Sequence, residues 1–489
     1  MLRHVNANVV MGFYYFPRGG SAQVARYLCR ALGGSRWAPT LFAGSIGSPA
    51  DSSNAHRFFS GICCESLDYS PAWADWSRGA DPMAAAVPMP ASYEDKAGVP
   101  DRIFFALDDA AFNRQVTSWT RFFTAHTSVC PSVVHLHHLT PMHEAVRALW
   151  PGVPVITHLH GTELKMLASV RDGTTSDGAG RWTREWVERM RRWACDSERL
   201  VVVAAHDEQL VQRLMPVDPA RITTIAHGVD TEIFSPRSRT PVERLARWKR
   251  WLVDDPRGWR PDSPVGSIRY DIDDLAAFTD DNGEPVPVVT FAGRFVQFKR
   301  LQLLIEAHHV MRSTTARRSV LVVVGGFPGE WEGEHPHDTV RRLGAEGVFF
   351  AGWRDHVDLA DILNCSDVFA APSVDEPFGL VYLEAMSAGL PPIATNTGGP
   401  LSFINVDPEN PTGWLVPPDD VAATTRALAE AVSDHTLRTD RGTRAAQFVR
   451  EHYSWATSAN VFAGLYAEVI DEHSRSTRSR PERPMRGVA

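Results

Sequence analysis

Short apolar runs alternate with amphipathic stretches along most of the chain, the rhythm of strands and helices taken in turn. An apolar run at residues 8–16 predicts a strand. Pro17-Arg18-Gly19-Gly20-Ser21 follows, and residues 22–32 carry a helical period. Trp119, Phe122 and Phe123 mark one face of a helix over 117–125. Two further strands, at 132–138 and 154–160, end in histidines, and the helix at 141–150 between them makes them βαβ neighbours. Strands at 200–204 and 221–225 continue the series. Residues 236–286, rich in Pro, Trp and charge, break the rhythm. Beyond them it resumes with strand 288–292, helix 300–312, strands 320–325 and 348–350, helix 356–364, strand 368–371, helix 379–388 and strand 392–395.

The pattern predicts an α/β protein of two Rossmann-like halves. The first spans 1–235, with an aperiodic insertion of short helices at about 45–100. The second spans 287–452, after an irregular linker at 236–286. An amphipathic helix at 453–472, strongest over 455–470, and an Arg-, Ser- and Pro-rich disordered tail at 473–489 complete the reading. A chain of 489 residues exceeds what one core organises. Open parallel sheets bind ligands at the C-terminal ends of their strands, so two such edges are expected to face each other across a cleft.

Composition narrows the partners. A net charge of −8 gives no general attraction to nucleic acid or to anionic membrane, and none of the former is expected as a partner. Six cysteines without CxxC spacing, and no apolar leader, point to a cytoplasmic protein with reduced thiols. No stretch reaches the roughly 18 apolar residues of a membrane span, which leaves peripheral membrane contact open. Only four of the 50 basic residues are lysines (Lys96, Lys165, Lys249, Lys299), so a lysine at a motif position stands out.

Chemistry concentrates in two stretches of the second half. In Phe369-Ala-Ala-Pro-Ser-Val-Asp-Glu376-Pro-Phe378-Gly379-Leu380, a strand leads through a turn into a helix that contains Glu384. Backbone N–H groups at the start of that helix favour an anion, and a carboxylate on either side suits hydroxyl-rich groups flanking a phosphate. Taken alone, the stretch also reads as an ordinary αβ crossover with two solvated glutamates. In Phe291-Ala-Gly293-Arg294-Phe-Val-Gln-Phe-Lys299, two cations follow a strand and can neutralise a diphosphate as its sugar departs, or simply be surface charges. Gly19-Gly20 after the first strand is the arrangement that brings amides to a phosphate, and also that of any αβ turn. His135, His137, His138, His143, His158 and His160 can cluster at one sheet edge and bind a metal, although no Asp or Cys stands at ligand spacing. Asp271-Ile272-Asp273 matches a metal-binding DxD but lies in the irregular linker, where it reads as chance.

Taken together and in order, Gly19-Gly20, His160-Gly161-Thr162, Gly228-Val229-Asp230, Gly293-Arg294…Lys299 and Glu376…Glu384 resemble the retaining nucleotide-sugar glycosyltransferases of GT-B fold, glycosyltransferase family 4. The resemblance covers roughly residues 8–235 and 286–420 and is stronger in the second half. It implies that Arg294 and Lys299 bind the donor diphosphate and stabilise it as leaving group. Gly293, Phe378, Gly379 and Leu380 line the same phosphates, Glu384 holds the nucleotide ribose and Glu376 contacts the transferred sugar. Gly19 and Gly20 approach the phosphates, and His160 lies beside the reacting sugar. No cofactor or essential metal is implied, only an NDP-sugar donor and an acceptor that is a small molecule, glycan or lipid. Three positions depart from the family pattern: His227 stands where Asn is usual, Ser402 where Glu is usual, and Ala205-His206 where Ser is common. Rival readings are an NDP-sugar epimerase or pseudoglycoside synthase on the same fold, a histidine-cluster metallohydrolase, and a silent sugar-binding module. A PLP-dependent phosphorylase needs a later lysine, and none follows Lys299. The base, sugar and acceptor are not legible; the arginine bias suggests a bacterial glycoside.

Overall fold

The computed structural model describes residues 7–94, 99–174, 180–315 and 318–478. It contains two parallel sheets. The first is built from β1 (Val9–Phe13), β2 (Pro39–Ser45), β3 (Cys64–Asp68), β4 (Val133–His137), β5 (Val155–His158), β6 (Arg199–Val202) and β7 (Ile222–Thr224), in the order β3-β2-β1-β4-β5-β6-β7. The second comprises β8 (Val288–Ala292), β9 (Val320–Val324), β10 (Val348–Gly352), β11 (Val368–Ala371), β12 (Pro392–Thr395) and β13 (Trp414–Val416), in the order β10-β9-β8-β11-β12-β13. Every residue of β1, β4, β8, β9 and β10 is buried, as expected of parallel strands covered by helices on both faces. Strand order reverses direction between β1 and β4 and between β8 and β11, which creates a ligand-binding switch point in each sheet.

Contacts divide the chain at Ala226/His227 and Ser454/Trp455 rather than at the expected linker. The last helix, Trp455–Arg478, belongs with the first unit. Within that unit its Trp455 ring stacks on Tyr27 at 5.8 Å, its Ser458 hydroxyl donates to Ala226 O at 2.9 Å, and its Tyr466 hydroxyl meets His135 Nδ1 at 2.8 Å. The helix also runs past the expected start of the disordered tail at 473; the remainder of that tail, 479–489, lies outside the described residues.

Two other expectations change. The 45–100 insertion is not only short helices: Cys64–Asp68 forms the edge strand β3, paired in parallel with β2. The 236–286 segment is part of the second unit. Pro241 at the first turn and a Thr240/Glu243 capping box start the helix Pro241–Lys249, whose Arg244 pairs with Asp367 at 2.6 Å. The segment then covers β10, an edge strand that would otherwise present unpaired amides. Phe350 N–H donates to the Tyr270 hydroxyl at 2.9 Å. The enclosed Arg354 guanidinium donates to the Asp255 carboxylate at 2.7 Å, to Trp251 O at 2.8 Å and to Ala351 O at 3.0 Å. The DxD stretch is a local turn: Asp271 Oδ1 accepts the N–H of Asp273 at 2.9 Å and of Asp274 at 3.1 Å.

Candidate active site

In the second unit, the sequence-selected residues converge on the switch point between β8 and β11. Gly293, Arg294 and Lys299 lie on the segment leaving β8, and Gly293 N–H donates to Val324 O of β9 at 3.0 Å. Gly325, at φ +109°, approaches so closely that a Cβ there would stand 2.2 Å from Gly293 O, so the two strand-end loops fit only with glycine. The short 3-10 turn Gln297–Lys299 is tied to the β11 turn by Val374 N–H donating to Phe298 O at 2.7 Å. Lys299 Nζ then pairs with Glu376 Oε2, and both side chains are largely enclosed. Arg294 is half-buried five residues before Lys299.

The turn after β11 is held from β12. Thr395 Oγ1 donates to Ser373 O, and Gly399 N–H donates to Glu376 O at 2.8 Å. A Cβ on Gly399 would lie 2.3 Å from Phe378 O, which explains the Gly398-Gly399 pair as a close backbone approach. Phe378 is buried between His227, at 5.1 Å, and Phe403, at 5.6 Å. Gly379 caps the helix Leu380–Ser387 at φ +92°, so Gly379 and Leu380 stand where the first free amides of that helix gather. Burial raises the Glu384 carboxyl to about 8. His356 Nε2 lies 3.8 Å from Glu384 Oε1, a neighbour that sequence reasoning missed because it sits at the start of the helix after β10.

In the first unit, Gly19 and Gly20 are exposed, and a Cβ at either meets no atom of the described residues within 4 Å. They form the first turn of the helix Gly19–Leu32 rather than a loop before it, with Gly19 at φ +73°. His160 follows β5, and its Nε2 lies 2.9 Å from His137 Nδ1. Buried Glu163 accepts the His160 N–H at 3.1 Å and lies 3.2 Å from His138 Nδ1. Glu163 was visible in the sequence three residues after His160, but its burial was not.

Glycine-framed loops, the Lys299–Glu376 pair, the enclosed Glu384 carboxyl and a helix N-terminus, with Arg294 five residues before Lys299, make an arrangement that can hold a diphosphate between hydroxyl-bearing groups. Known proteins resemble the chain in both halves. The family model described as Glycosyl transferases group 1 matches residues 277–448, and the one described as Glycosyltransferase Family 4 matches residues 18–233. A D-inositol 3-phosphate glycosyltransferase of Corynebacterium glutamicum is 27% identical over 377 residues, 74% of this chain and 77% of that protein. The protein of the same name from Stackebrandtia nassauensis is 28% identical over 58% of this chain and 57% of its own length. Among solved structures, sucrose-phosphate synthase from Thermosynechococcus elongatus superposes with a TM-score of 0.65 at 18% identity, covering 95% of this chain and 100% of that one. Anabaena HepE in complex with UDP and glucose superposes at 0.62 and 14% identity, covering 94% and 100%. With both halves matched, the chain belongs to glycosyltransferase family 4 and is a glycosyltransferase of GT-B fold.

Proposed function

We propose that the protein transfers a sugar from a nucleoside-diphosphate sugar to a hydroxyl acceptor with retention of anomeric configuration, in the cytoplasm and without an essential metal. The observation that carries this is the junction of the Lys299 loop with the Gly379 helix start at the β8/β11 switch point. Arg294 and Lys299 neutralise the charge that builds on the departing diphosphate, and the Gly379 and Leu380 amides hold the same oxygens. This is electrostatic stabilisation in a partly enclosed site, where it counts for more than in water. Glu384 accepts hydrogen bonds from the ribose, while Glu376, held by Lys299, contacts the sugar. The acceptor attacks on the face the diphosphate leaves, and the leaving oxygen takes the acceptor's proton, so no carboxylate nucleophile is needed. For Gly19, Gly20 and His160 we propose the roles the resemblance implies: amides for the phosphates and a contact with the reacting sugar.

The relatives' name makes a phosphorylated polyol the first acceptor to try, and the HepE complexes make UDP-glucose the first donor. The test is to incubate the protein and a chelator with UDP-, GDP-, ADP- or TDP-sugars and candidate acceptors, then read the new anomeric proton by NMR. A glycoside of the donor's own configuration, formed with one equivalent of nucleoside diphosphate, is expected. An inverted product, or nucleoside diphosphate released with no glycoside, would overturn the proposal.

A further inference from the structure

The histidines ending β4 and β5 form a cluster that the transfer chemistry does not use. His137 pairs directly with His158 in the β4–β5 register, and His135 lies two residues before His137, so all three rings fall on one face of the sheet. All three are fully buried. Their ring centroids are 4.9 Å (His135–His137), 5.2 Å (His137–His158) and 5.5 Å (His135–His158) apart. One ring nitrogen of each lies within 4.8 Å of the others. Phe462, from the helix Trp455–Arg478, covers the face, with its ring 5.2 Å from His135 and 5.4 Å from His158.

His135 adds a second observation. Its Nδ1 is fixed by the Tyr466 hydroxyl at 2.8 Å, while its Nε2 is buried with no hydrogen-bond partner among the described residues. A buried polar atom left unsatisfied costs about 1–3 kcal/mol. One ring nitrogen held by an outer partner while the other is left for the ion is how a metal-ligating histidine is held. Three imidazoles on one tetrahedral ion, at metal–nitrogen distances of about 2.0–2.1 Å, place their ring centroids about 5 Å apart. The observed spacings match; the rings lie within 13°, 23° and 29° of parallel, so closing the nitrogens onto an ion needs the rings to turn as well as side-chain shifts on the order of 1 Å.

We propose that His135, His137 and His158 form a structural site for a divalent transition-metal ion of the zinc class, closed by Phe462 and oriented by Tyr466. Neutral imidazoles without a carboxylate or thiolate select such an ion over magnesium or calcium, which prefer oxygen ligands. The ion ties β4 to β5 beneath the segment that bears His160, and it takes no part in the departure of the diphosphate.

The test uses the full chain with no affinity tag, freed of metal by a chelator and titrated with cobalt(II). One equivalent should bind with the visible absorption of a low-coordinate nitrogen site, and zinc should displace it. Tyr466→Phe, which removes only the hydroxyl, should weaken cobalt binding 10–100-fold. His158→Gln should abolish it, while His309→Gln, in a different element, should bind as wild type. Should His158→Gln not fold, X-ray absorption on the cobalt-loaded wild type must still count three imidazoles. No stoichiometric binding, fewer than three imidazoles, or a Tyr466→Phe protein that binds as tightly as wild type would overturn the proposal and leave a metal-free histidine array.

Discussion

Lys299 and Glu376 form an ion pair that joins the loop after β8 to the turn after β11, with side-chain exposures of 12% and 10%. The two strands are neighbours in the sheet although 77 residues separate the pair in sequence. The lysine is therefore pre-positioned at the same place as the helix start at Gly379.

Removing either cation should slow the reaction. Lys299→Ala and Arg294→Ala are each expected to lower turnover at least tenfold, since loss of one electrostatic stabiliser commonly costs about 2.7–4 kcal/mol. Initial rates at saturating donor, with folding checked by circular dichroism, measure this. Activity within twofold of wild type in both variants rejects the proposed phosphate site.

Glu384 sets a pH dependence whose sign is fixed by burial. Its carboxyl is raised from 4.5 to about 8 in the folded protein, so the native state holds a proton that the unfolded chain has released. That contribution to stability is complete below the unfolded value and is lost as pH rises through about 8. Denaturant unfolding of wild type from pH 5 to 9 should therefore show a decline that Glu384→Gln lacks. Binding of a nucleotide sugar, whose diphosphate charge is constant over this range, should strengthen with rising pH in wild type and stay flat in the variant. Parallel profiles for the two proteins contradict the assignment.

Two glycines are expected to resist substitution for different reasons. Gly399→Ala places a methyl group 2.3 Å from backbone oxygen of Phe378, and should destabilise the protein by about 1–3 kcal/mol because no side chain can give way. At Gly379 the added Cβ meets the Tyr382 ring at 2.7 Å and the backbone sits at φ +92°, so alanine should cost about 1–2 kcal/mol and turn aside the amides proposed to hold the phosphates. Thermal unfolding tests both, and only Gly379→Ala should lose more donor affinity than stability explains.

Arg354 anchors the covering segment of β10. Arg354→Met leaves the carbonyls of Trp251 and Ala351 without their donor, and should destabilise by roughly 2–3 kcal/mol. Limited proteolysis should then cut within 255–286 first. An unchanged cleavage pattern argues that the segment is held by its other contacts alone.

Much of this was readable from residue order. The buried apolar runs of β8, β9 and β11 and the helix His356–Asn364 stand where periodicity placed them, because parallel strands covered on both faces read as continuous hydrophobic stretches. β3 escaped notice because Cys-Glu-Ser-Leu-Asp is a half-exposed edge strand with too few apolar residues to show a period. β13 escaped because three residues are too short. The positions of Glu376 and Glu384 relative to the helix were legible, but the Lys299 pairing, the burial of Glu384 and its His356 neighbour depend on strands and helices distant in sequence. The common face of His135 and His137 follows from alternation along a strand, whereas the addition of His158 depends on the β4–β5 register. The enclosure of that face by Phe462 does not follow from alternation either, since that ring comes from the far end of the chain.

The most direct test of the account is donor binding by isothermal titration at pH 8 with UDP-glucose, then GDP-, ADP- and TDP-sugars, against wild type, Lys299→Ala and Glu384→Gln. The account predicts one-to-one binding of at least one nucleotide sugar to wild type, weakened at least tenfold in each variant. Binding that is undiminished in Lys299→Ala and Glu384→Gln, or no binding of any nucleotide sugar to wild type, contradicts it.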